Sequence, residues 1–425
     1  MLYWMELRRS PLRWWFPLLI AADLGTLFGR SRWWIGQWVQ TSVQVQIPAF
    51  YFAPLLAAAA AWAAGRTVRH HLDAQLAISA RPRWQVDLTQ LSATLTYGLV
   101  AYGVGAVVAV VASYPKAGAG FLWPSYLLLG SALLISFASV GHLVGLWVKS
   151  QFTGPLIAGL GTMVLIAWAG PPSALGLYVI NGAPFQKVAV PALLARCLVA
   201  VLLVAAAGLV RRHSLLSTSR IWAGAASRVM AVSICALLCA ALVGLVATSP
   251  VQVPRAAPNR PVCTDGAPTL CLWPEDKVYL PKAQTMAEHM RQLPSGMFTV
   301  PTAFYERGLR GDAAHMYEDF YILEGSMWDS SETMAGGIMS ASRPTSPGCG
   351  FPPSSRMTPE FIHSSGELNM WLAMRIFGGG QPAGMHGGPP GVDLDAIAHV
   401  LTEPEGTQAQ WAQQRVEAVH YAYCG

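Results

Sequence analysis

Three ionisable residues fall inside long apolar runs: Asp23, His142 and Arg196. Asp23 lies about ten residues, roughly 15 Å of helix, beyond Arg13. That places it near mid-membrane if the run spans a bilayer. A carboxylate at that depth is expensive to bury and is a functional candidate for that reason. The competing reading pairs it structurally inside the protein. Arg196, in the outer part of its run, is expected to snorkel to the interface. His142 lies near the inner end of its run, where an interfacial role competes with proton relay. Further along, His289, His315, His363, His386, His399 and His420 are scattered among acids. His363 with Glu367, and His315 with Glu318, would share a helical turn and could bind zinc or move protons, but two ligands are not a site. No metal site and no catalytic residue are assigned. The chain has no G-x-x-x-x-G-K-[ST], no H-E-x-x-H and no G-x-S-x-G. It is not expected to be an enzyme.

The elements that must position these residues follow from composition. Of 425 residues, 53% are hydrophobic and 12% charged, where soluble domains carry about 25% charged residues. The expected fold is an α-helical polytopic membrane protein of about seven spans, with a mainly α, disulfide-bearing extracytoplasmic C-terminal domain. Residues 1–248 hold 17 Lys and Arg against 4 Asp and Glu, and residues 249–425 hold 11 against 18. The basic balance therefore belongs to membrane-flanking loops and says nothing for nucleic acid. The domains read as 1–248 transmembrane, 249–261 a proline-rich linker and 262–425 extracytoplasmic. Spans are expected at about 14–28, 47–64, 91–113, 124–147, 153–169, 190–210 and 229–248, the first retained rather than cleaved. Residues 31–46 read as an outer loop lying on the membrane, and 170–187 as a proline-bearing outer loop that dips into it. An odd number of spans puts the N-terminus in the cytoplasm and the C-terminus outside.

The longest polar break in the transmembrane part is Gly65–Gln90. Val68, Leu72 and Leu76 recur every four residues, which predicts a helix with one apolar side; Pro82 ends it. Arg66, Arg69, Arg81 and Arg83 outnumber Asp73 and Asp87, so the stretch reads as cytoplasmic. With His70, His71 and Trp84 it is a candidate docking surface. The other reading is a solvated loop that only fixes topology.

Cys197, Cys235 and Cys239 fall in apolar runs and read as packing residues. Cys263, Cys271, Cys349 and Cys424 lie in the last 177 residues. An even set in one domain suggests two disulfides and an oxidising compartment. Of three connectivities, Cys263–Cys271 with Cys349–Cys424 is favoured, the first closing a short loop and the second tying down the C-terminus. Helices are expected at 281–293, 315–323, 367–377, 394–401 and 408–423.

Residues 1–248 resemble the membrane subunit of a type-2 ATP-binding-cassette exporter of the actinobacterial kind. The likeness is carried by the lead-in ELRRSPLRWW, the short first span, the basic helix ending LAISARPRW and the proline-rich loop between spans five and six. CTDGAPTLCLWPE looks like the start of uncharacterised outer domains on similar permeases. The resemblance implies a second permease copy or related permease and a cytoplasmic ATPase subunit as partners. ATP and Mg would sit in that ATPase, with no cofactor in this chain. It also implies that Arg69 to Trp84 form the coupling element seated on the ATPase. The added seventh span and outer domain depart from the usual six-span pattern. A membrane-anchored receptor or assembly protein is the alternative reading, and an outer-face hydrolase a weaker one.

Overall fold

The computed structural model describes residues 2–29, 34–66, 83–148, 150–169, 176–180, 182–209, 233, 237–238, 240–248, 250–310, 318–322, 326–346, 349, 357–379 and 391–424. The described chain divides into two compact units. One is Met1–Pro115 with Phe121–Val253, and the other is Lys116–Gly120 with Pro254–Gly425.

The first unit is a helical bundle: α1 (Leu2–Arg9), α2 (Leu12–Phe28), α3 (Trp38–Gln46), α4 (Pro48–Ala64), α5 (Arg83–Ser113), α6 (Pro124–Trp147), α7 (Thr153–Trp168) and α8 (Val190–Leu209). Strand β1 (Gln186–Val188) pairs with β2 (Gln252–Pro254). Among the described residues, four helical stretches are long and apolar enough to cross a membrane: Trp38–Ala64, Trp84–Ser113, Pro124–Trp147 and Val190–Gly208. Of the seven spans expected, these four stretches cover the second, third, fourth and sixth. Helix α7 is apolar but shorter, and α2 has 17 residues, where a bilayer usually asks for about 20. Most of the stretch expected as a seventh span lies outside the described residues, with helix at 240–247.

The centre of the bundle is α4, which packs on α6 and α7. Small residues set the approach. A Cβ on Gly141 would come 2.1 Å from the Ala57 carbonyl oxygen, and one on Gly145 2.3 Å from that of Ala61. Glycines four residues apart let α6 lie backbone to backbone on α4, where lipid offers no hydrophobic drive for helix association. On the far side Val39, Val43, Tyr126, Leu129, Val179, Val188 and Val251 close a second cluster.

Residues 38–46 correct one expectation. Instead of lying on the membrane, α3 is buried along its length, with Thr41, Ser42 and Gln46 at 0% exposure. It can be interior because its polar side chains find partners there. Within the proline-rich stretch, 252–254 is an extended strand; beside it Val251 joins the cluster and its carbonyl accepts from Ala189 N–H at 2.8 Å.

The second unit carries a four-stranded sheet in the order β3 (Val262–Cys263), β4 (Thr269–Leu272), β5 (Ala303–Glu306), β6 (Asp319–Phe320). The β3–β4 pair is antiparallel, and β4–β5 and β5–β6 are parallel. The parallel crossover from β4 to β5 is a 3-10 turn (Pro274–Tyr279) and α9 (Leu280–Arg291), as a parallel connection requires. Helices α10 (Trp328–Ala341), α11 (Pro359–Phe377), α12 (Leu394–Val400) and α13 (Glu405–Cys424) complete it. Where a helix was expected at 315–323, the described residues 318–322 hold strand β6, whose Phe320 is fully buried in the sheet's core. Helix α11 is central: Trp371, Leu372, Ala373 and Ile376 are fully buried against Met286, Met334, Ile338 and Phe304. Each such apolar side chain contributes about 1.5–3 kcal/mol by burial. Two disulfides, Cys263–Cys271 and Cys349–Cys424, pair as favoured from the sequence.

Candidate functional site

Within the first unit, polar side chains gather into a seam at the meeting of α2, α3, α5 and α6. Asp23 on α2 is 1% exposed. Its carboxylate lies against the backbone of α5, where a Cβ on Gly105 would stand 1.9 Å from Oδ2. Only glycine permits that approach. Oδ2 has no hydrogen-bond partner among the described residues. One turn on, the Thr26 hydroxyl donates to the Asp23 carbonyl at 2.8 Å, and Gln44 Nε2 donates to the Thr26 carbonyl at 3.0 Å. Gln46 Oε1 accepts from Val179 N–H at 2.8 Å. The Thr41 and Ser113 hydroxyls meet at 2.8 Å, and the Ser42 hydroxyl accepts from Trp123 N–H at 2.8 Å. The buried Tyr102 hydroxyl donates to the Leu127 carbonyl at 3.4 Å.

These bonds explain why a polar helix is stable inside an apolar bundle. Every satisfied group avoids a penalty of about 1–3 kcal/mol for burial without a partner. Two groups of the seam stay without a partner among the described residues, Gln46 Nε2 and Asp23 Oδ2, the second a carboxylate oxygen held in the interior. Such a group can take up a proton, a cation or a substrate ammonium.

The other sequence candidates separate. His142 is 0% exposed, buried in the bundle rather than presented to the interface, and neither ring nitrogen has a hydrogen-bond partner among the described residues. Its neighbours Gly141 and Gly145 draw that face of α6 onto α4. Arg196 is 4% exposed; Nη1 donates to the Ala192 carbonyl at 2.8 Å and Nη2 to that of Gly176 at 3.0 Å. It is thus folded inward on backbone carbonyls instead of snorkelling. Arg69, His70, His71, Asp73 and Arg81 lie outside the described residues. Arg66 pairs with the buried Glu6 of α1, Arg83 opens α5, and Trp84 is exposed.

The second unit holds a feature that sequence reasoning missed. Asp276, in the 3-10 turn after β4, and Glu306, at the end of β5, are 5% and 1% exposed and face each other with a hydrogen bond between their carboxyls. Glu306 Oε2 also accepts from Trp273 N–H at 2.8 Å. Burial raises both carboxyls above the ordinary range, and their mutual proximity raises Glu306 further. Arg255 stands over the Trp273 ring at 4.6 Å and pairs with Glu275 at 2.5 Å. Burial, with Asp276 and Glu306 nearby, also raises the Tyr279 hydroxyl. The two acids are 30 residues apart, and no local spacing signals their meeting. Such a pair, shut from solvent, shares a proton. His363 Nδ1 lies 3.5 Å from Glu367, which Arg415 binds at 3.0 Å. That carboxylate is occupied by an arginine, and no cluster of three metal-ligating groups occurs among the described residues.

Residues 270–421 match a family described as a domain of unknown function (DUF7224). No curated protein and no solved structure matches the chain.

Proposed function

We propose that this chain is the transmembrane subunit of an ATP-driven exporter. A separate cytoplasmic ATPase would bind and hydrolyse ATP with Mg, and a second copy or related permease would complete the pore. The observation that carries this reading is the seam of buried polar side chains ending at Asp23, inside a bundle with four helices long enough to span a bilayer. Polar groups kept at membrane depth mark a path for substrate or ions. The resemblance of residues 1–248 to type-2 exporters supplies the energy source. In this reading the N-terminus is cytoplasmic, the apolar stretches make seven crossings, and the disulfide-bearing unit lies outside and handles substrate or a partner. ATP-driven closure of the ATPase dimer would reach the bundle through residues 66–84 and shift it between inward and outward states.

The test is a pull-down of the full chain in mild detergent, with mass spectrometry and an ATPase assay. A co-purifying Walker-type ATPase, lost or uncoupled in Arg69→Glu/Arg81→Glu with the chain still folded, supports the reading. Recovery of the chain without an ATPase, or coupling unchanged in the double variant, sinks it. A second reading is a membrane-anchored receptor or assembly protein. It is favoured by the second unit, which closes its own core and alone carries the family match. Recovery with outer-face proteins only would select it.

A further inference from the structure

Helix α2 turns a narrow side to the bundle. Of its 17 residues, Leu12, Leu19, Asp23 and Leu27 are buried. Spacings of seven, four and four put them on one stripe of the helix. The other sides carry Trp14, Trp15 and Leu18, all exposed. Three positions of the stripe are leucine and the fourth is an acid, although leucine there would complete the apolar contact. Asp23 sits where the stripe meets α5, with Oδ2 lacking a hydrogen-bond partner among the described residues and 1.9 Å from where a Cβ on Gly105 would stand. The Gly105 backbone N–H faces the carboxyl. Pro17, inside α2, breaks the helix's own hydrogen-bond ladder and leaves a point at which it can bend.

Among the described residues no cation pairs with Asp23. Helices α3 and α4 carry no charged residue, and Tyr51 of α4 is exposed. On α5 the Tyr102 hydroxyl acts on Asp23 electrostatically, while Tyr97 donates to the Leu7 carbonyl at 2.9 Å. On α1 Glu6 pairs with Arg66, and Arg8 and Arg9 lie in its last turn. Arg13, at the start of α2, stands 5.5 Å over the Trp14 ring.

We infer that Asp23 binds a proton while α2 lies on α5 and gives it up when the two helices part, so that movement at this contact is linked to proton binding. An ionised carboxylate oxygen with no donor is costly in an apolar interior, and the neutral acid avoids that cost. A hard cation would need six or more oxygens around it, and α5 backbone fills the space beside Oδ2; a proton needs neither room nor further ligands. When the helices part and water enters, the carboxyl O–H bond breaks, the proton passes to water, and the carboxylate is solvated. One proton released on parting makes the parted form gain up to tenfold for each unit of rising pH. The gain starts from about pH 4, where an exposed aspartate ionises. It ends once the closed contact has also lost its proton. The proton site rests on the reading of the polar seam as a pathway, and not on an ATPase partner.

The experiment uses the full chain in phosphatidylcholine nanodiscs. Infrared spectra of wild type minus Asp23→Asn, taken from acid to alkaline pH, separate the Asp23 carboxyl from every other acid. A carboxylic-acid carbonyl band that shifts in deuterium oxide and fades as pH rises is expected. Spin labels at Leu18→Cys on α2 and Val100→Cys on α5, both exposed positions, report the separation of the helices once Cys197, Cys235 and Cys239 are replaced by serine. The widened population should grow up to tenfold per pH unit with Asp23 present. It should stay flat in Asp23→Asn, which keeps the neutral shape, and in Asp23→Leu, which completes the stripe; either variant serves as the infrared reference. No acid band at any pH overturns the proposal. So does a band that appears only when Na⁺ and K⁺ are withdrawn, which would give Oδ2 to a cation. A band without a pH-dependent separation, or a pH dependence that persists in both variants, overturns it as well. None of these outcomes bears on whether an ATPase co-purifies.

Discussion

Glu306→Gln separates the acid pair's charge from its shape. In the wild type Glu306 accepts from Trp273 N–H at 2.8 Å and meets Asp276 in a site closed to water. Both carboxyls are raised by burial, and Glu306 also by its partner. In the unfolded chain they release protons near pH 4; in the folded chain they hold them longer. Across that window the unfolded state binds fewer protons, so stability is present at low pH and lost as pH rises through the folded values. Glutamine keeps the acceptor for Trp273, donates to Asp276 and cannot ionise. One unit of raised pKa is worth about 1.4 kcal/mol, so the variant should gain roughly 1–3 kcal/mol at pH 8 and little at pH 4. For a unit of this size about 2 kcal/mol shifts Tm by about 4–8 °C. The assay is thermal unfolding of the full chain in detergent at several pH values. Hydrogen exchange over 269–306 would give the local opening free energy. Glu306→Leu is the control: it strands the Trp273 N–H and should cost about 1–3 kcal/mol. A difference between wild type and Glu306→Gln that does not vary with pH would refute the shared-proton account.

Three further outcomes are expected. Cys349 and Cys424 are 75 residues apart and Cys263 and Cys271 only 8. Loop-closure entropy then makes the double serine variant of the long pair cost about 4 kcal/mol, against roughly 2.5 for the short pair; denaturant titration checks the order. Gly141→Ala forces a Cβ to 2.1 Å from the Ala57 carbonyl, so α6 must move off α4, at about 1–3 kcal/mol. An unchanged Tm would remove that contact from the packing. Gly105→Ala presses on Asp23 Oδ2 at 1.9 Å and should destabilise, while Asp23→Ala in the same chain should relieve it. The double-mutant cycle should give a coupling of about 1 kcal/mol or more, and additivity would deny the contact.

Much was legible in the chain because the physics is local. Apolar runs report helices long enough for a bilayer, and proline, glycine and charge mark where they stop. The even set of C-terminal cysteines, with one pair eight residues apart, favoured the pairing found. The helices at 280–291, 394–400 and 405–424 carry their own periodicity or caps, such as Asp393 accepting from Ala396 N–H at 3.0 Å.

Other features depended on distance in space. Residues 38–46 look like a surface loop because they alternate Gln, Ser and Thr with Val. Whether those groups meet lipid, water or each other is fixed by Ser113, Trp123 and Val179, which lie far away in sequence. Strands of two to four residues carry no period, so the small sheet and the Asp276–Glu306 pair appear only when β4 and β5 align. Sequence by itself determined that this protein has helices long and apolar enough for a bilayer and closes a disulfide-bonded unit, because burial and covalent chemistry act through residue type. Only the tertiary structure decided which polar groups face inward, because burying a polar group is favourable only when a partner from elsewhere in the chain reaches it.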